Sequence, residues 1–181
     1  MIRLALPEDR DRFRTLQAGD RVLLSGILYT GRDAAHERLL LTLRGGEPLP
    51  VDLRGQTIYY VGPCPAPPGF AVGSAGPTTS GRMDFATPDL LRYGLAGMIG
   101  KGKRSPEVVA AIRETGAVYF GATGGAGALL AGRIRECRTV AWPDLGTEAI
   151  HRLVVEDFPV IVLVDSRGED LYRSAAARRT P

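Results

Sequence analysis

An apolar run that gives way at once to a helical stripe most limits what this chain can become. RVLLSGILY, Arg21–Tyr29, is rich in β-formers and predicts a strand. Directly after it, Thr30 stands as a candidate N-cap with Asp33 three places on, and Leu39, Leu40 and Leu43 form an apolar helical stripe. The same change of period returns along the chain. TIYYVG predicts a second buried strand, and Thr87–Pro88–Asp89 opens a short helix that Gly94 stops. AGMIG leads as a strand into a glycine-rich loop, and Ser105–Pro106–Glu107 opens a helix ended by Gly116. AVYFG, TVAW and FPVIVLVD read as strands, GATGGAGALLAGRI as a glycine-rich turn into a helix, and DSRGED as a turn. Strands and helices alternating across short breaks predict an α/β fold. Residues 1–18 read as an entry segment with a short helix in PEDRDRFRTLQ, and RSAAARRTP as frayed. No repeat or linker divides the chain, so one domain over residues 1–173 with a tail at 174–181 is the simplest division.

A chain of 181 residues can bury roughly 70% of its unfolded surface, enough for a sizeable core. No apolar run is long enough to span a bilayer, and the opening MIRLALPEDRDRF is charged too early for a signal peptide. A cytoplasmic protein with no membrane partner is therefore expected. Its formal charge of +3 comes from scattered basic residues without runs or a stacking motif, which disfavours nucleic acid and suits a small acidic substrate. Only Lys101 and Lys103, both in GKGKR, are lysines among the 23 basic residues, which hints at a use for an ammonium there. Cys64 and Cys137 are isolated thiols, and His36 and His151 lie far apart in sequence. That is too little for a disulfide framework, an iron–sulfur cluster or a structural zinc, so no metal site is expected in this chain.

Three stretches carry candidate chemistry. In TGRDAAHERL, Arg32 and His36 are four apart on one face of a predicted helix start, beside free N–H groups and the positive dipole end. Such a place suits an anion, with His36 able to exchange a proton near neutral pH and Asp33 able to orient it. An ordinary solvated helix start is the plainer reading. GPTTSGRMD, Gly76–Asp84, offers the hydroxyls of Thr78, Thr79 and Ser80, and then the Arg82 guanidinium. It is either a turn capping the next helix or a ligand-binding loop. Gly97–Lys103 has the spacing of a phosphate loop, but Arg104 stands where a Mg²⁺-binding Ser or Thr belongs, and Ser105 serves as a cap. The glycines of GATGGAGALLAG do not fit a dinucleotide fingerprint.

In this order, GDRVLLSGILYTGRDAAHERL, YYVGPCPAPPG, GPTTSGRMD, GKGKRS, YFGATGGAGALLA and DLGTEAIHRLVVEDFPVIVLVD resemble the β subunit, or C-terminal domain, of iron–sulfur hydro-lyases. These are the class I fumarases and L-tartrate dehydratases. The resemblance implies a swivelling β/β/α domain, its mixed sheet flanked by helices. It also implies a separate α subunit whose three cysteines hold a [4Fe–4S] cluster, in an α₂β₂ assembly acting on a small dicarboxylate. Carried over by motif, Arg32 and Arg82 would clamp substrate carboxylates and Lys101 would assist. Thr78 matches a hydroxyl that takes part in proton transfer, and His36 is the other acid–base candidate. TEAIHRLVVEDFP looks like the fumarase form of its segment, although Thr147 stands where the family often has Met. The expected protein is thus the β subunit of a two-subunit fumarate hydratase. Tartrate dehydratase is the near alternative, and a non-catalytic anion- or nucleotide-binding module the distant one.

Overall fold

The computed structural model describes residues 1–123 and 126–177. Five parallel strands lie side by side in chain order: β1 (Ile2–Leu6), β2 (Arg21–Thr30), β3 (Thr57–Tyr59), β4 (Gly97–Gly100) and β5 (Val118–Gly121). Two antiparallel strands follow, β6 (Ile134–Ala141) and the 15-residue β7 (Ile150–Val164). β7 pairs along Arg21–Tyr29 of β2, and also with β6 near its start and β5 near its end. The pairings β2–β3–β4–β5–β7–β2 therefore close a ring, leaving β1 and β6 outside it. The mixed sheet and flanking helices are those expected.

Strand alternation sorts the side chains into two cores. Tyr59, Ile99 and Phe120 join Leu24, Leu153 and Phe158 in one. Ile58, Met98 and Tyr119 face the other way, packing with residues of α1 (Asp33–Arg44), α2 (Thr87–Tyr93) and α3 (Pro106–Thr115). Leu39, Leu90 and Ile112 from these helices are fully buried, each contributing about 1.5–3 kcal/mol by leaving water. Two short helices complete the chain, α4 (Gly127–Ala131) and α5 (Leu171–Ala177).

Several expectations need correction. The entry segment holds strand β1, whose Leu4 and Leu6 point into the core, and its predicted helix is a 3-10 turn over Arg10–Thr15. Thr30 does not cap α1. Its buried hydroxyl donates to Ala149 O (3.2 Å) and accepts from His151 N (2.9 Å), and Arg32 takes the N-cap position. Thr87 is the first residue of α2, with Ala86 at its N-cap. Ser105 does cap α3, accepting from Val108 N at 3.3 Å, and Gly116 ends that helix in a left-handed conformation. The first part of the tail read as frayed is helical in α5, while residues 178–181, like 124–125 of the glycine-rich turn, lie outside the described residues. Among the described residues, no helix is long and apolar enough to cross a membrane.

Candidate active site

Parallel strands β2, β3 and β4 run toward one end of the barrel, the end where α/β sheets present ligand-binding loops. The segments leaving that end carry Arg32, Gly76–Asp84 and Lys101. Backbone bonds tie them into one patch: Gly31 N donates to Tyr59 O (3.1 Å), Thr78 N to Tyr60 O (2.7 Å) and Ser80 N to Lys101 O (2.9 Å).

One carboxylate gathers both guanidiniums. Arg32 Nε donates to Asp33 Oδ2 at 3.4 Å, and Arg82 Nε to Asp33 Oδ1 at 2.9 Å. Glu148 Oε1 stands 3.2 Å from Arg32 Nε, an ion pair without hydrogen-bond alignment. The arginine side chains remain 28% and 52% exposed, so ligand can reach them. Each donates its hydrogen bond through Nε, which leaves its two terminal amino groups, the prongs that grip a carboxylate, clear of hydrogen bonds among the described residues. Gly62 gives Arg32 its room, for a Cβ there would stand 3.2 Å from both Arg32 Cδ and Thr147 O.

The three hydroxyls of the PTTS turn part company. Ser80 is buried and structural: its hydroxyl accepts from Tyr119 OH (2.8 Å) and Lys101 N (3.0 Å). Gly100 must lack a side chain for this, because a Cβ there would overlap Ser80 Oγ and press on Tyr60 at 2.9 Å. Thr79 is exposed and Thr78 half-buried at the patch. Lys101 is exposed and borders a small cavity of about 130 Å³ with Gly121, Thr123 and Tyr172.

His36 goes inward. Its ring is 0% exposed and lies edge-on to Tyr60, with centroids 5.2 Å apart. Nδ1 is 2.9 Å from Arg32 O, an acceptor, so that nitrogen carries the proton, and Nε2 has no partner among the described residues. Burial pushes the imidazole down to about 4, the Arg32 carbonyl offsetting only part of the effect. It is therefore neutral at pH 7. Asp33, read from sequence as able to orient His36, spends its carboxylate on Arg32 and Arg82. Arg32 and Arg82 thus meet at Asp33, backbone bonds bring the Thr78 and Lys101 segments alongside, and His36 lies beneath.

Sequence reasoning missed Glu148, the bridging use of Asp33, and Arg104. The last, noticed only as a misfit in a phosphate loop, is buried against Asp84. With Arg104 inside and the Ser105 hydroxyl capping α3, this loop offers no hydroxyl to a nucleotide-bound Mg²⁺ in the phosphate-loop manner. Among the described residues, no group of three or more His, Cys, Asp or Glu is able to hold a metal ion. The donor set of this chain does not fit an iron–sulfur cluster.

Residues 1–175 match the family described as "Fumarase C-terminus". The chain belongs to that family. This fumarase C-terminus domain is 40% identical over 178 residues to fumarate hydratase 2 of Leishmania major, covering 96% of this chain and 31% of that protein. It is 43% identical over 155 residues to the aerobic class I fumarate hydratase of Escherichia coli (strain K12), covering 84% of this chain and 28% of the relative. A putative L(+)-tartrate dehydratase subunit beta of Methanocaldococcus jannaschii is 36% identical over 165 residues, with 88% of this chain and 85% of the relative covered. The domain thus spans about a third or less of the curated fumarate hydratases named here, but most of the tartrate dehydratase subunit.

Proposed function

We propose that this chain is the β subunit of a cytoplasmic two-subunit class I fumarate hydratase, which adds water reversibly to fumarate to give L-malate. Its [4Fe–4S] cluster would be held by an α subunit, in an α₂β₂ assembly. One observation carries this reading: Arg32 and Arg82 converge on Asp33 by their Nε atoms and leave their terminal amino groups free. A dicarboxylate with one carboxylate on each fork would be aligned along the patch, and Lys101 would add a third cation. Supporting the two-subunit arrangement, the Methanocaldococcus relative is named a subunit beta. Fumarate is favoured over tartrate by the fumarate hydratase names of the relatives at 40% and 43% identity, against 36% for the tartrate one.

Within this reading Thr78 handles the carbon-bound proton, because it lies at the patch while His36 is sealed below it. A hydroxyl is a weak base, and nearby cations on Arg82 and Lys101 would favour its deprotonated form. His36 acts as a neutral prop, its Nδ1–H holding the carbonyl of Arg32. The test is to purify the chain anaerobically with a cluster-bearing partner and follow fumarate and malate to equilibrium. Interconversion is expected, and an intact, cluster-loaded complex that turns over neither acid overturns the proposal. Offering tartrate to the same preparation separates the near alternative.

A further inference from the structure

We propose that Asp84 and Arg104 form a buried positioning pair that registers the Thr78–Arg82 turn against Lys101. The proposal rests on the dicarboxylate reading of the patch. Arg104 has a side chain 0% exposed, and Asp84 is 15% exposed. A guanidinium out of water costs several kcal/mol unless its donors are paired. Here Nε donates to Asp84 Oδ1 (2.7 Å) and Nη2 to Thr87 Oγ1 (2.8 Å), with Tyr60 OH at 3.4 Å. The ion also lies 4.8 Å from the Tyr119 ring centroid and 5.3 Å from that of Tyr60. Burial works against its charge, but Tyr60, Asp84 and Tyr119 more than offset that, so the group stays charged.

The pair joins the two loops that matter. Asp84 closes the turn bearing Arg82, and its second oxygen accepts from Ser105 N at 2.7 Å, on the loop bearing Lys101. The same loops meet again at Ser80, whose hydroxyl and amide bond the Lys101 backbone. Tyr119 links these two junctions, since its hydroxyl donates at Ser80 while its ring faces Arg104. Buried ion pairs are poor sources of stability, and well-packed apolar substitutes are often neutral or stabilising. What an apolar pair cannot reproduce is the directional bonding of Asp84, at the end of one loop, to Arg104 and Ser105 on the other. Register, rather than fold stability, is the property at stake.

The discriminating variant is the double substitution Asp84→Leu/Arg104→Met, examined in this chain and in the chain with its cluster-bearing partner. Thermal unfolding near the wild-type temperature is expected, with faster amide exchange at Ser80, Lys101 and Ser105 but unchanged exchange in β2 and β7. Fumarate turnover in the complex should fall on the order of 10²-fold in kcat, the cost of a misplacement of about 1 Å. Wild-type exchange at those amides, or wild-type kcat and KM, would remove the positioning role. Should the double variant fail to fold, Arg104→Lys, which keeps the charge but not the planar fork, carries the same two comparisons. If the wild-type complex itself lacks turnover, the dicarboxylate reading fails, and amide exchange alone decides whether the pair sets the register.

Discussion

At the scale of single residues, the patch separates groups proposed to bind from groups that hold. Arg82 meets Asp33 with one nitrogen and keeps its other two free, so its value lies in a planar fork. Arg82→Lys keeps the charge and loses that geometry. In the proposed complex it should lower kcat/KM on the order of 10²-fold, with the unfolding temperature unchanged, as steady-state kinetics and calorimetry would report. Activity near wild type would take Arg82 out of the site. His36 makes a prediction of the opposite kind, in stability. Its folded value of about 4 lies below the unfolded 6.5. The unfolded chain therefore binds the proton more readily, and the stability from keeping His36 neutral is fully present above pH 6.5. It declines as the pH falls toward 4 and is lost below that, a change of about 3 kcal/mol. Urea titrations from pH 7.5 to 4 should show this slope in the wild type and a flatter one in His36→Asn. Equal slopes would mean that the imidazole is not held neutral.

Individual elements were legible where period and punctuation agreed. Ser105–Pro106–Glu107 and Gly116 marked both ends of α3 because cap and breaker act through local backbone chemistry. The strands at Arg21, Thr57, Gly97 and Val118 announced themselves as compact apolar runs. Those missed, β1 and the first half of β7, mix charged and apolar residues, since only one face of each is buried. In β1 the buried side chains are Leu4 and Leu6, alternating with the exposed Arg3 and Ala5. Thr30 shows a different limit. Its place before a helix suggested a cap, while its actual partners lie 119 and 121 residues away, at the start of β7. No local pattern records such a bond. It has a measurable consequence: Thr30→Val would leave Ala149 C=O and His151 N–H unpaired in the interior, costing about 2 kcal/mol. Thr30→Ser, which keeps the hydroxyl, should cost clearly less. Denaturant midpoints of the two variants test this, and equal losses would deny the hydroxyl its bridging role.

On the scale of the whole molecule, ring closure explains why residues far apart in sequence share one patch. β7 returns along β2 and brings Glu148, just before its first residue, to the side of Arg32. The order of motifs made Arg32, Thr78, Arg82 and Lys101 readable as a set, but Glu148 and Arg104 became visible only once the barrel and its loops were closed. The patch they form carries Arg32, Arg82 and Lys101 against Asp33 and Glu148, an excess of one positive charge, and its arginines stand part-exposed. Open to water, such a surface holds a dicarboxylate weakly, because ion pairs at exposed positions gain little. Covering it with the proposed partner would lower the local dielectric and strengthen each contact. Malate should therefore leave the unfolding temperature of the lone chain unchanged, yet raise that of the assembled complex. At a hundredfold excess over its dissociation constant the stabilisation is about 2.7 kcal/mol, and replacing Arg32 by Ala should abolish most of it. A malate-dependent shift of the same size in the lone chain would mean that this polypeptide binds the acid unaided, and the shared-pocket account would have to be given up.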